Sequence, residues 1–379
     1  MGYDADVIVI GGGIMGTATS YALAVRGVKT ILLERFRLGH LRGSSGGPTR
    51  IFRLAIAEPR YAQMAVPALE AWRSLERVAG QPLLVTTGGL DIGEKTERAA
   101  ESLESIGAPF EWLTTADARE RWPGMRFEDG EEILFHPGAG VCYAERTVLA
   151  LAGLATERGA EIREETPVAW LDVDADGVQV STEGGETLKA PVAVVTVGSW
   201  AGPMLREVGI DLQLTPTVEQ VSYFRLETPS PLPTVIDWSA AVPASEGFQS
   251  RGPYAVPDPE HPGDVKLALH MSGPPADPAE GPFEVDPARI EEVAAWAARR
   301  FAPLVETHPA HTCLYTRTPD HDFVIDREGP LVIGSPCSGH GFKFGPLIGE
   351  LLADLATGAS PTVDLFGFSA SRSGVRGGR

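Results

Sequence analysis

The sequence predicts an α/β protein in which a Rossmann-like domain, assembled from separated stretches of chain, is interleaved with an antiparallel β-sheet domain. Three observations carry that prediction. The chain opens on a strand–glycine turn–helix–strand unit with an acidic residue at the tip of the second strand. Apolar strand patterns followed by glycine-rich turns recur in the middle of the chain and near its C-terminus, as a parallel sheet covered on both faces requires. Between residues 216 and 287 lie 14 of the 31 prolines. A long helix is excluded there, because each proline removes a helix donor and clashes with the preceding turn.

The elements follow in order. Residues 6–10 (DVIVI) are a short buried strand, followed by the turn 11–16 (GGGIMG). A helix over 17–26 ends at Gly27, a natural C-terminal cap, and a second strand over 29–33 ends at Glu34. A Gly/Ser-rich loop spans 42–49. Residues 61–78 read as an amphipathic helix, and 83–92 as a strand with a turn or bulge at Gly88-Gly89. A helix over 147–158 runs through Gly159 into 161–163, and 191–197 is a continuous apolar strand closing at Gly198-Ser199-Trp200. Beyond the prolines come a helix over 287–301, a strand over 331–333 and a helix from about 346 to 357. The predicted division gives 1–82, 145–215 and 318–368 to the nucleotide-type domain, and 83–144 and 216–317 to the β domain. The Ser/Gly/Arg-rich end, 369–379, is expected to be disordered.

Composition narrows the function. The 379 residues, 43% of them hydrophobic and 22% charged, suit a globular protein with sizeable cores. The formal charge is −19, from 32 Lys+Arg against 51 Asp+Glu. That field repels nucleic acid and anionic membrane surfaces. An anionic substrate would need cations gathered in one place against it. Three cysteines give neither a disulfide framework nor zinc spacing, so no metal is expected. With no signal-peptide pattern and no stretch of ~20 apolar residues, a cytoplasmic protein is expected.

The N-terminal unit has specific physics. Gly11 permits the tight turn, Gly13 lets a pyrophosphate approach the backbone, and Gly16 lets helix and strand pack closely. The helix N-terminus offers free N–H groups to phosphates. Glu34 suits a ribose diol and would repel a 2′-phosphate, which disfavours NADP. The motif alone does not separate FAD from NAD. The departure after Glu34 into a loop carrying Arg50 and Arg53 favours FAD, with an NAD-dependent dehydrogenase as the alternative.

Several further segments carry a resemblance. These are Thr49-Arg50-Ile51-Phe52-Arg53, Arg121-Trp122-Pro123-Gly124, Gly198-Ser199-Trp200, Cys313-Leu314-Tyr315-Thr316 and Ser338-Gly339-His340-Gly341-Phe342-Lys343-Phe344. Together with the N-terminal motif, the chain resembles the monomeric sarcosine oxidase and N-methyltryptophan oxidase group of the D-amino-acid-oxidase-like FAD-dependent flavoproteins. The resemblance implies FAD bound through Cys313 by a thioether at the flavin 8α carbon; a lone cysteine by itself reads as a small buried hydrophobe. It implies cofactor contacts at Gly11, Gly13, Ile14, Met15, Gly16, Glu34, Arg35, Ser44, Arg50, Val168, Gly198, Trp200, Gly339, Gly341, Phe342 and Lys343. Arg53 and Lys343 would hold a substrate carboxylate, and Tyr254 would line the substrate site. Lys266 would promote reaction with O2, with His270, Tyr315 and Arg50 beside it. Spacing alone allows surface roles for these cations. One departure stands out: Gly46 occupies a position where the family has histidine, which predicts added space and room for a bulkier substrate. The implied activity is oxidation of an N-methyl or cyclic secondary amino acid to an imine, hydrolysed to aldehyde plus amine, with O2 reduced to H2O2 by a monomeric enzyme. A flavin-dependent amine dehydrogenase, an imine-forming biosynthetic oxidase and a non-catalytic flavin-binding module are the alternatives.

Overall fold

A computed structural model describes residues 2–174, 176–240, 252–372 and 374–376. A six-stranded sheet runs in the order Val324–Glu328, Leu331–Ser335, Val192–Val195, Val7–Ile10, Thr30–Leu33, Glu161–Arg163. All its pairs are parallel except the first, which is antiparallel. The strand Val7–Ile10 lies centrally and is buried on both faces. Alternation sends Val7 and Val9 into a core with the helices Ile14–Val25, Pro59–Ala79, Ala144–Glu157 and Gly345–Thr357, while Ile8 and Ile10 meet Leu171, Val178, Val180 and Leu188. Those four residues belong to a three-stranded antiparallel sheet, Val168–Asp174, Gly177–Thr182 and Thr187–Ala190, which covers the opposite face. The unbroken apolar pattern of the central strands therefore has a cause on each side.

The second large sheet has eight strands, in the order Leu304–Arg317, Thr215–Leu226, Asp264–Leu269, Pro253–Pro257, Thr234–Asp237, Gly89–Ile92, Ile133–His136, Glu111–Leu113. Its pairs are antiparallel, as expected, except that Thr234–Asp237 pairs parallel with Gly89–Ile92. The reason is that two separate stretches of chain are joined edge to edge there, rather than by a hairpin. The single strand expected over 83–92 is two strands. Leu84–Thr86 belongs to a small sheet with Thr49–Phe52 and Gly140–Tyr143, and Gly89–Ile92 to the large one. The switch occurs at Gly88, whose φ is +73° and where a Cβ would lie 2.5 Å from the Phe135 ring.

The C-terminal stretch also departs from expectation. Ala370 and Val375 are fully buried, Ser369 and Ala370 bond Asp326, and Arg372 grips both carboxylate oxygens of Asp320. Its polar composition concealed two apolar anchors and a set of specific acceptors. Residues 373 and 377–379 of that stretch lie outside the described residues.

Candidate active site

The first helix, Ile14–Val25, begins at Gly13 with no side-chain cap, so its N-terminal N–H groups open onto a cavity of about 610 Å³. Among the described residues only Ser45 Oγ reaches in, accepting from Ile14 N at 3.1 Å. The glycines behave as their spacing predicts. Gly11 has φ +100°, a Cβ on Gly13 would sit 3.0 Å from Ser45 Oγ, and one on Gly16 only 1.8 Å from Gly11 O. Glu34 ties this turn to the second strand: Oε2 accepts from Gly12 N at 2.5 Å and Oε1 from Phe36 N at 2.8 Å. A carboxylate has roughly four acceptor positions, so room remains for a diol.

From this turn the cavity runs past Arg35, Val168, Gly198 and Trp200 to the inner face of the eight-stranded sheet. Strand alternation puts His311, Cys313 and Tyr315 on that face from one strand; Tyr254 and Val256 come from another and Lys266 from a third. Opposite them stand Ser44, Arg50 and Arg53 from the loop and strand after Glu34, and Gly339, Gly341, Phe342 and Lys343 from the turn before the last helix. Of the site residues predicted from sequence, all but Gly16 line this one cavity; Gly16 packs beneath it. The Arg121–Gly124 motif does not, since Trp122 packs into the core behind the sheet.

Arg50 is half-buried and donates to the carbonyls of Ser44, Gly46 and Thr49 at 2.7–2.8 Å, which fixes the loop around it. Its guanidinium lies 5.7 Å from the centre of the Phe342 ring. Lys266, 4% exposed, donates to Thr49 O, and burial, with Arg50 nearby, pulls its ammonium well below the ordinary lysine range. Lys343 donates to His340 O at 2.6 Å; burial, then Arg53, brings it down to about 7. Burial, with Lys343 next, takes His270 to about 4, and its ring centre is 5.7 Å from that of Tyr315. Burial pushes the hydroxyls of Tyr254 and Tyr315 and the thiol of Cys313 up. These groups face one chamber that gathers Arg50, Arg53, Lys266 and Lys343 inside an acidic protein.

The space expected at Gly46 is absent. A Cβ there would lie 2.2 Å from His40 O, so the backbone has closed onto the position a side chain would occupy. The inference of a bulkier substrate from Gly46 therefore falls. Sequence reading missed His311, whose Nε2 lies 3.3 Å from where a Gly47 Cβ would be and which stacks obliquely near Tyr223, at 5.4 Å between ring centres. It also missed Asp91, which accepts from Arg53, and Trp238, which donates to the same carboxylate oxygen. A lone acid in the apolar stretch Gly89-Leu90-Asp91-Ile92 was the available signal.

Comparison with known proteins gives a consistent result. The DAO family profile, FAD dependent oxidoreductase, matches residues 6–355. Mouse peroxisomal sarcosine oxidase is 33% identical over 97% of this chain and 96% of its own length. Monomeric sarcosine oxidase of a Bacillus strain is 32% identical over 98% and 97%. Among solved structures, NikD, described as an unusual amino acid oxidase essential for nikkomycin biosynthesis, superimposes with a TM-score of 0.86 at 26% identity, covering 96% of this chain and 97% of that one. The chain belongs to the DAO family of FAD-dependent oxidoreductases.

Proposed function

We propose that the protein is an FAD-dependent oxidase of a secondary amino acid, N-methyl or cyclic. The observation that carries this reading is the convergence of Arg53 and Lys343 with Lys266 and Cys313 on one cavity that begins at an uncapped helix N-terminus. The residues present fit FAD. The Gly11–Gly16 turn with its helix would take the pyrophosphate and Glu34 the ribose, while Val168, Gly198 and Trp200 would flank the cofactor. Gly339, Gly341 and Lys343 would meet the flavin's pyrimidine edge, and Cys313 would bond it. Bound FAD would supply the acceptor for a hydride equivalent from the amine-bearing carbon and return the electrons to O2 as H2O2.

The chain's own residues do the rest. Arg53 and Lys343 hold the substrate carboxylate, and the Arg fork gives that grip its geometry. His270, Tyr254 and Tyr315 wall the amine into a water-poor space and, with raised tyrosine and lowered histidine pKa values, stay neutral at physiological pH. A neutral wall beside a cationic receptor favours the uncharged amine, the form that can release hydride. The sheet face also keeps Lys266 out of bulk water, where its charge would be screened.

Substrate-dependent peroxide together with aldehyde from an N-methyl amino acid tests this reading. Imine formation without peroxide would favour the flavin-dependent dehydrogenase instead. The covalent link has its own test. Acid precipitation of the native protein leaves a yellow pellet, whereas Cys313→Ser releases its flavin to the supernatant. A colourless native pellet removes the thioether.

Lys343 makes carboxylate binding pH-dependent. It is charged below about pH 7 and neutral above, so it attracts an anion only on the acid side, and a bound anion raises its pKa in turn. The dissociation constant of acetate, read from the flavin spectrum, therefore rises as the pH passes upward through about 7 and levels off at alkaline pH, where Arg53 alone holds the anion. In Lys343→Met the constant is higher and the bend disappears. A bend that persists in the variant assigns the titration to another group.

A further inference from the structure

Arg53 does not choose its own orientation. Its Nη2 donates to Asp91 Oδ1 at 2.8 Å, and Trp238 Nε1 donates to the same oxygen at 3.0 Å. His136 Nε2 lies 3.1 Å from the other oxygen, Oδ2. Three adjacent strands build this arrangement. Asp91 is fully buried in Gly89–Ile92, His136 ends the neighbouring strand Ile133–His136, and Trp238 directly follows Thr234–Asp237 on the other side. His136 Nδ1 is buried with no hydrogen-bond partner among the described residues, and burial lowers the imidazole pKa despite Asp91. The ring is thus neutral, with its proton on Nε2 facing Asp91. Burial pushes the Asp91 carboxyl up, but Arg53, His136 and Trp238 outweigh it and hold it below its ordinary value. The carboxylate is ionised and accepts from three donors.

Arg53 spends one N–H on this contact. Its Nε is buried and unpartnered among the described residues, in a residue that lines the cavity. A guanidinium is planar and rigid, so fixing one end fixes the plane of the rest. What remains is a guanidinium on the cavity wall whose plane the Asp91 contact sets.

We propose that Asp91, seated by His136 and Trp238, is a positioning residue that aims Arg53 at the substrate carboxylate; this rests on the reading of Arg53 as the carboxylate receptor. The test is a double-mutant cycle on the flavin-loaded enzyme, with an N-methyl amino acid as substrate and acetate as the inert probe. Asp91→Asn raises KM and the acetate dissociation constant about tenfold, with kcat within about threefold. Oxidation of N-methylbenzylamine, which has no carboxylate, changes less than about twofold. In an Arg53→Leu background, Asp91→Asn adds less than about twofold, because the group it positions is gone. Trp238→Phe, which removes a single donor, shifts acetate binding in the same direction by about threefold and serves if the asparagine variant does not fold. If Arg53→Leu weakens acetate binding while Asp91→Asn and Trp238→Phe leave it unchanged, the positioning role fails and Arg53 keeps its own. If Arg53→Leu itself leaves acetate binding unchanged, the receptor reading fails and the proposal falls with it. Full additivity of the two substitutions also overturns it.

Discussion

Arg53→Leu raises KM for carboxylated secondary amines by roughly 10- to 100-fold while the protein still folds and loads flavin. The expectation follows from where Arg53 sits. It is on the cavity wall rather than in a packed core, with one partner behind it and an unpartnered Nε. A charge-assisted bond to a carboxylate is worth about 1.5–3 kcal/mol, and Lys343 retains part of the grip. Folding is affected less, because the neighbouring sheet register (Arg50 with Cys142, Phe52 with Gly140) is made by backbone. The variant does leave Asp91 without its cation, so some loss of thermal stability accompanies the change. Steady-state kinetics with flavin content measured in parallel check the point, and an unchanged KM takes Arg53 out of the site.

Lys266→Met slows reoxidation of the reduced enzyme by O2 by roughly 100- to 1,000-fold, with a much smaller effect on reduction by substrate. Lys266 sits in a place that disfavours its positive charge: nearly inaccessible, bonded to Thr49 O and facing Arg50. Such a charge gains most from a negative charge appearing beside it, which is what electron transfer to O2 produces. Methionine keeps the length and apolar stem and removes the charge. Stopped-flow measurement of the two half-reactions separates the steps. Equal slowing of both would make Lys266 a packing residue, and an unchanged O2 rate would remove it from the chemistry.

The parts of this site that the sequence made legible are those whose physics is local. The Gly11–Gly16 turn is readable because the chain contacts itself within a few residues: Gly16 must be glycine because Gly11 O lies under it. Lys343 is readable through the resemblance carried by the contiguous segment Ser338–Phe344. Cys313 and Tyr315 reach the same face by simple alternation. Contacts between distant segments were not legible. Asp91, His136 and Trp238 span 147 positions from Asp91 to Trp238, and no local pattern announces that three strands carry them to one guanidinium. Gly46 misled for a related reason: its meaning depends on His40 O, which sequence spacing does not place. The C-terminal stretch was misread because two buried apolar residues, Ala370 and Val375, are scarcely visible in a Ser/Gly/Arg background.

The central claim is that a flavin and a carboxylated secondary amine meet in this cavity. Anaerobic addition of a panel of N-methyl and cyclic amino acids to the purified yellow protein tests it most directly. At least one member should bleach the flavin absorbance, with recovery and one equivalent of peroxide on admitting air. A protein that purifies without flavin, or whose flavin no secondary amino acid bleaches, would contradict the account.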